Sequence, residues 1–486
     1  MILHIALALC AILLLYYWMN MRPKNFPPGP PCIPLLGSFL FLPPKHIHLT
    51  MSGSWLEKYG PVVGLLLGSA PLIAVSGPHA VLEVLRRDEF HGRPDSEEIR
   101  ERSFNKRLGI LLTDGPFWVE HRRFTIKHLK DFGFGKKSAE AVILEETEQL
   151  MIEMKEMKVV QVSGLFNIPS VNVLWSMIAG TRYAHDDADF KLLLHKLNSF
   201  FRSGSPAGNL ATIFPVLKKI APELCGHKKK MEALNELTNF FRKTIHEHKL
   251  MLEENNPRDF MDVYLQQMEA EKADDNSTFT EEGLIVLCLD LFSAGAESLS
   301  NALSFCLLYM VLHPRVQEAV QKEVDTVIGR SRRPSLEDRT RLPYVEATIS
   351  EISRINPIAP ITLPHTSLRD TELCGYTIKE NTTILVNIWS VLHDREHWSD
   401  PEVFRPERFL DADGKFVKDE RLIPFGVGKR VCLGEILAKD MLFLMFTNLM
   451  QEFTFRTPEE DPYPTTDALP GFITAPAPFR VQATER

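Results

Sequence analysis

The sequence predicts a mainly α protein with small β-sheets, an α+β body of one large domain preceded by an N-terminal anchor helix. Three observations lead there. Helical spacing of apolar residues dominates from His79 onward, two short strand-rich stretches interrupt that pattern, and an unbroken apolar run opens the chain. With 44% hydrophobic residues among 486, the chain has apolar material for a large core.

The opening run, MILHIALALCAILLLYYWM, has His4 as its only strongly polar member and is about as long as the shortest helices that span a bilayer. Arg22 and Lys24 follow it, beside Trp18 and the Tyr16–Tyr17 pair. A cleaved secretory signal would carry its basic residues before the apolar run, so residues 1–20 read as an uncleaved, single-pass anchor. Positive charge after the span keeps the body on the cytoplasmic face, which in a eukaryotic cell means the endoplasmic reticulum membrane with a cytosolic body in contact with membrane lipid. Residues 21–34, with FPPGPPCIP at 26–34, read as a basic, proline-rich hinge acting as a semi-rigid spacer, and residues 35–486 as the body.

Within the body, Gly60 to Gly77 predicts two strands around Gly68-Ser69, with helical spacing from His79 to Arg87. The polar stretches ENNPRD and EKADDNST flank a helical DVYLQQMEA, and a second strand-rich patch runs from about Ile361 to Val386 with Gly375 at a turn. The net charge of −8 is spread along the chain without a basic stripe, so nucleic acid is not an expected partner. Seven cysteines form no CxxC, against a disulfide framework or a structural zinc site.

The sharpest motif is FGVGKRVCLG, from Phe425 to Gly434, just before the helical run EILAKDMLFLMFTNLM. A cysteine at a helix N-terminus has its thiolate favoured by the dipole and unpaired N–H groups, and glycines let backbone approach a flat ligand. The spacing F-G-x-G-x-R-x-C-x-G resembles the haem-binding loop of the cytochrome P450 family, and the resemblance extends over nearly the whole chain. It implies the cytochrome P450 fold, haem b (iron protoporphyrin IX) as cofactor, and Cys432 as the axial thiolate that favours O–O cleavage. Arg430 is then expected at a haem propionate, and Phe425 as a shield for the sulfur.

Three further motifs stand in the order that family has. Glu351 and Arg354, in EISR, share a helix face, and the resemblance adds Arg408 of PERF to give a structural Glu-Arg-Arg network. LFSAGAESLS, 291–300, lies in a long apolar helix, where Ser298 can bond the carbonyl of Ala294 and bend the helix. Glu297 and Ser298 occupy the family's acid and alcohol positions, which implies that they relay protons through water into the oxygen site. Serine replaces the usual threonine there and loses the methyl that stiffens χ1. Gly295 is expected to leave room for O2. Trp118 and Arg122, four apart on one helix face, and His365, in LPHTSLRD, match propionate-contacting positions.

No nicotinamide or flavin fingerprint is present, so electrons must come from outside. The resemblance implies NADPH-cytochrome P450 reductase, with cytochrome b5 as an accessory, docking on a basic face that includes Arg122, Arg123, Lys127, Lys130 and Lys429. Pocket positions carried over from the family are Leu291, Ala294, Gly295, Ala359, Ile361 and Phe472. Their apolar character favours a lipophilic substrate such as a terpenoid, fatty acid, steroid or foreign compound, hydroxylated or epoxidised with O2 as co-substrate. The chain resembles insect members of the microsomal branch, for which sesquiterpenoid epoxidation of the methyl farnesoate type is one possibility. A haem sensor or carrier, and a peroxide isomerase that needs no reductase, are the alternatives; neither needs the Glu297–Ser298 pair.

Overall fold

The computed structural model describes residues 22–202 and 210–486. The anchor read at residues 1–20 lies outside them. The first strands are β1, Val62–Leu67, and β2, Ala70–Val75, an antiparallel hairpin with Leu65 opposite Leu72. Helix α1, Pro78–Arg86, follows, opened by a proline whose missing N–H is tolerated in a first turn.

The helical body contains α2 (Gly115–Asp131), α3 (Lys137–Met157), α4 (Asn167–Ala179), α5 (Ala188–Arg202) and α6 (His227–Leu250). Its centre is α7, Glu281–Leu312, capped by Thr280, whose hydroxyl accepts the Gly283 N–H at 3.0 Å. This helix is long and apolar enough to cross a membrane, but it is enclosed by protein and forms the spine of the main hydrophobic core. Helix α8, Pro343–Ile355, precedes four short strands: β3 (His365–Thr366), β4 (Thr371–Leu373), β5 (Tyr376–Ile378) and β6 (Thr383–Val386). Helix α9, Glu435–Glu452, packs in the main core with α7. The principal sheet runs β1-β2-β6-β3, with β2 and β6 parallel and Ile73 opposite Ile384. Its faces bury two smaller apolar clusters.

The proline-rich stretch expected as a spacer instead lies against the body. Gly64 N–H donates to Pro28 O at 2.8 Å, and Phe26 packs beside the cluster under the sheet. Prolines remove donors without removing carbonyls, so an extended proline run can still accept hydrogen bonds from a strand.

Candidate active site

Cys432 lies in the loop ahead of α9, and its N–H donates to Phe425 O at 3.0 Å. That hydrogen bond closes the loop. Gly428 is at φ +81°, and a Cβ there would stand 2.1 Å from Leu85 O, so glycine lets the loop lie directly on the end of α1. The Cys432 side chain is accessible, yet protein encloses it closely enough that burial raises the thiol pKa; a sulfur facing an internal cleft satisfies both. N–H groups of Gly434 and Glu435 act in the opposite sense, as expected at a helix N-terminus, but burial outweighs them. The dipole alone therefore does not make the thiolate. A metal cation at the sulfur would.

Arg430 lies beside the cysteine and donates through Nε and Nη2 to His91 O at 2.9 and 2.6 Å. Its Nη1 is buried with no hydrogen-bond partner, its charge centre sits 3.7 Å from the Trp118 ring centre, and burial pulls its pKa down to about 10. Arg122 donates to Val431 O at 2.6 Å, so it turns inward to the cysteine loop and does not belong to the exposed basic face. Arg123, Lys127 and Lys130 are exposed, and Lys429 pairs with Asp88 at 2.7 Å.

Sequence reasoning missed Arg93. It is buried, donates to Leu111 O and Pro364 O at 3.0 and 3.2 Å, and burial together with the charge of Arg430 holds its pKa well below the arginine range. A lone arginine in HGRP carries no spacing signal. His365 donates from Nδ1 to Phe90 O at 2.7 Å, and burial followed by the charge of Arg93 depresses its pKa strongly. Buried cations that repel one another, with a guanidinium nitrogen unpaired, want an anion among them. The propionates of a haem supply that charge, so the residues present fit the group.

Opposite features come from α7. Ala294 is exposed in the middle of this otherwise buried helix, and Ser298 and Ala302 at the same helix face are half-open. An open strip two turns long on a core helix marks internal space. Ser298 Oγ donates to Ala294 O at 2.6 Å, as its spacing predicts. Glu297 is buried on a neighbouring face.

Gly295 also lies against α4. A Cβ there would stand 2.5 Å from Leu174 Cδ2, so glycine admits close packing of α4. Ala294 borders the opening. Leu291 is buried in the main core, and Ile361, also expected at the pocket, is 3% exposed within the cluster on the sheet face opposite Phe26. Ala359 and Phe472 are half-buried, and their segments meet beside α7: Asn301 donates to Thr474 O at 3.1 Å, and Thr474 N–H to Ile358 O at 2.8 Å.

Asp290 is a second residue the sequence reading passed over. Its carboxylate accepts the N–H groups of Ile110 and Leu111 at 2.6 and 3.0 Å and pairs with Arg102. An aspartate inside LIVLCLDLFSAGA was the available signal, since a charge in an apolar helix needs partners.

Behind the site, Glu351 accepts from Arg354 Nε at 2.6 Å and from Arg408 Nε at 3.1 Å. Arg354 also donates to Leu392 O and Pro401 O, and Arg408 to Trp398 O and Asp400 O. Nearly every donor of both guanidiniums is thereby used to fasten the chain that leads to the cysteine loop.

An accessible cysteine before a helix, cations gathered for a flat dianion, and an opening along the central helix define the haem-thiolate class of enzyme. A family model, cytochrome P450, matches residues 27–483, and the chain belongs to that family. It is 37% identical over 485 residues to farnesoate epoxidase of Bombyx mori, with 98% of each chain covered. Cytochrome P450 2C16 of Oryctolagus cuniculus is also 37% identical, covering 98% of each chain, and cytochrome P450 2U1 of Homo sapiens is 37% identical over 99% of this chain and 94% of its own.

The chain is a haem-thiolate monooxygenase that uses O2, NADPH-derived electrons from a reductase, and lipophilic substrates. When bound, haem supplies O2 activation and transfer of one oxygen atom. The protein's own part is to hold Cys432 in a closed loop, to gather the buried cations Arg93 and Arg430 and to leave Ala294, Ser298 and Ala302 open along α7.

Proposed function

We propose that this monooxygenase epoxidises or hydroxylates a neutral, lipophilic substrate, with a sesquiterpenoid ester of the methyl farnesoate type as first candidate. The observation that carries this is the open strip of α7, which offers Ala294, Ser298 and Ala302 and no charged side chain. Of the acids beside that strip, Glu297 is buried on a neighbouring face and Asp290 is buried and committed to Arg102 and two backbone N–H groups, so neither presents its charge to a cationic substrate. The likeness to farnesoate epoxidase of Bombyx mori supports the choice among lipophilic classes.

Trp118, Arg122, His365 and Arg430 hold the propionates in this reading, joined by Arg93. Glu297 takes a proton from water on its carboxylate and Ser298 passes one into the cleft, its hydroxyl receiving one proton as it releases another. The exposed Arg123, Lys127 and Lys130 form the docking face for the reductase and, in turn, cytochrome b5. Residues 1–20 anchor the chain in the endoplasmic reticulum membrane, where lipid supplies an apolar route for substrate. If deleting residues 1–25 left membrane binding unchanged, the anchor assignment would be wrong.

The test is a spectral titration of purified holoenzyme with methyl farnesoate, a medium-chain fatty acid and a steroid, then turnover with NADPH and reductase. A shift of the haem band with methyl farnesoate and an oxygenated product support the proposal. A shift and product only with the acid or steroid would reassign the substrate.

A further inference from the structure

Away from the haem site, two groups of metal-ligating side chains gather among the described residues. In one, His248, Asp259 and Asp262 are buried and engaged: His248 Nε2 bonds Asp259 Oδ2 at 2.9 Å, and Asp262 holds Arg258 Nε at 2.7 Å. Both carboxylates are thus taken up by ordinary ion pairs. The other group is built differently.

His79 and Glu83 lie four apart on α1 and project from one face. Cys374 occupies the turn between β4 and β5 beside them, and the three ligand atoms all lie within 4.8 Å of one another. The two Glu83 oxygens have separate neighbours. Oε1 accepts from Arg87 at 2.6 Å, whereas Oε2 stands 4.0 Å from His79 Nδ1. That gap is too long for a hydrogen bond. It is near the about 3.3–3.6 Å that ligand atoms keep around a tetrahedral ion with bonds of about 2.0–2.3 Å. Arg87 in turn is fastened to the strand that presents the cysteine, donating to Glu372 O at 2.8 Å and to Thr371 Oγ1 at 2.7 Å. One guanidinium thus orients the carboxylate and fixes helix against hairpin, which is the work outer-shell partners do around metals.

We infer that His79 Nδ1, Glu83 Oε2 and Cys374 Sγ form a surface site for a borderline-soft divalent cation, zinc above all, with water as the fourth ligand. The donor set selects the ion: calcium and magnesium take oxygen ligands, while thiolate, imidazole and carboxylate together suit zinc. On binding, a sulfur–metal bond forms and the thiol proton leaves to solvent, with no change of oxidation state. His79 and Cys374 are exposed, so an ion reaches the site without unfolding. The ion would clamp the β4–β5 hairpin to α1, whose far end carries the Leu85 carbonyl against which Gly428 of the cysteine loop is packed.

The experiment uses tag-free holoenzyme, titrated with Zn2+ by calorimetry and then measured by X-ray absorption at the zinc edge, where haem iron does not interfere. One equivalent binds, with one sulfur at about 2.3 Å and nitrogen or oxygen ligands at about 2.0 Å. His79→Ala and Cys374→Ser each weaken binding at least about tenfold, while the ferrous carbon monoxide band reports intact haem ligation in both. A zinc shell without sulfur, unchanged affinity in both variants, or no stoichiometric binding by the native protein overturns the assignment.

Discussion

Asp290, in the middle of α7, accepts the Ile110 backbone N–H at 2.6 Å and so ties the segment ahead of α2 to the central helix. Leu111 N–H and the Arg102 guanidinium complete its shell. Asp290→Ala leaves a half-buried arginine and two backbone donors without their carboxylate, and is expected to destabilise the protein by about 2–4 kcal/mol. Protease cleavage within residues 102–111 should precede global unfolding in this variant. Native-like cleavage would show that the segment is held by other contacts.

Ser298→Ala removes the hydroxyl from the open strip and leaves Cys432 untouched. Haem binding and substrate affinity should stay native, while product formed per NADPH falls about 10–100-fold and peroxide rises, at or below the usual contribution of a positioned proton-transfer group. Ser298→Thr restores a stiffer hydroxyl and should recover coupling. Full coupling in the alanine variant would remove Ser298 from the relay.

Gly295→Ala places a methyl 2.5 Å from Leu174 Cδ2. Overpacking of this kind is expected to lower stability by about 1–3 kcal/mol. Since the obstacle is the end of one flexible side chain, Leu174→Ala should offset part of that loss in the double variant. Additive losses would place the strain elsewhere.

Glu351→Ala leaves Arg354 and Arg408, 0% and 5% exposed, without their shared carboxylate. The expected cost is about 3–5 kcal/mol. Because those arginines fasten the approach to the cysteine loop, haem content of the purified protein should fall with stability. Normal haem occupancy at native stability would contradict a structural role for the network.

His185 stands between Glu146 and Glu153, 2.8 Å from the first through Nε2 and 2.9 Å from the second through Nδ1. Burial disfavours its charge, but the hydrogen bond to Glu146 and the charge of Glu153 outweigh it and raise its pKa above 6.5. A raised folded-state pKa means that the stabilisation is complete below the unfolded value and is lost as pH climbs through the folded value. Denaturant midpoints of the native protein should therefore fall on the alkaline side of about pH 6.5, and His185→Gln should flatten that decline. Identical slopes in both proteins would rule this clasp out.

The local signals were legible without a structure. Glycines around one cysteine, an acid three residues before an arginine, and a serine four after a carbonyl are short-range relations, and FGVGKRVCLG, Glu351–Arg354 and Ser298–Ala294 took the geometry their spacing implied. The long apolar run around LFSAGAESLS also marked α7 as a helix. Periodicity says which residues share a face, and is silent about what meets that face. Only the tertiary structure decided that Gly295 meets Leu174, that Ile361 belongs to a cluster against the sheet, that Arg93 comes beside Arg430 and His365 and that Cys374 comes beside His79 and Glu83. Those pairings join residues distant in the chain, and they are set by packing of whole helices and sheets rather than by the local rules that shape each element.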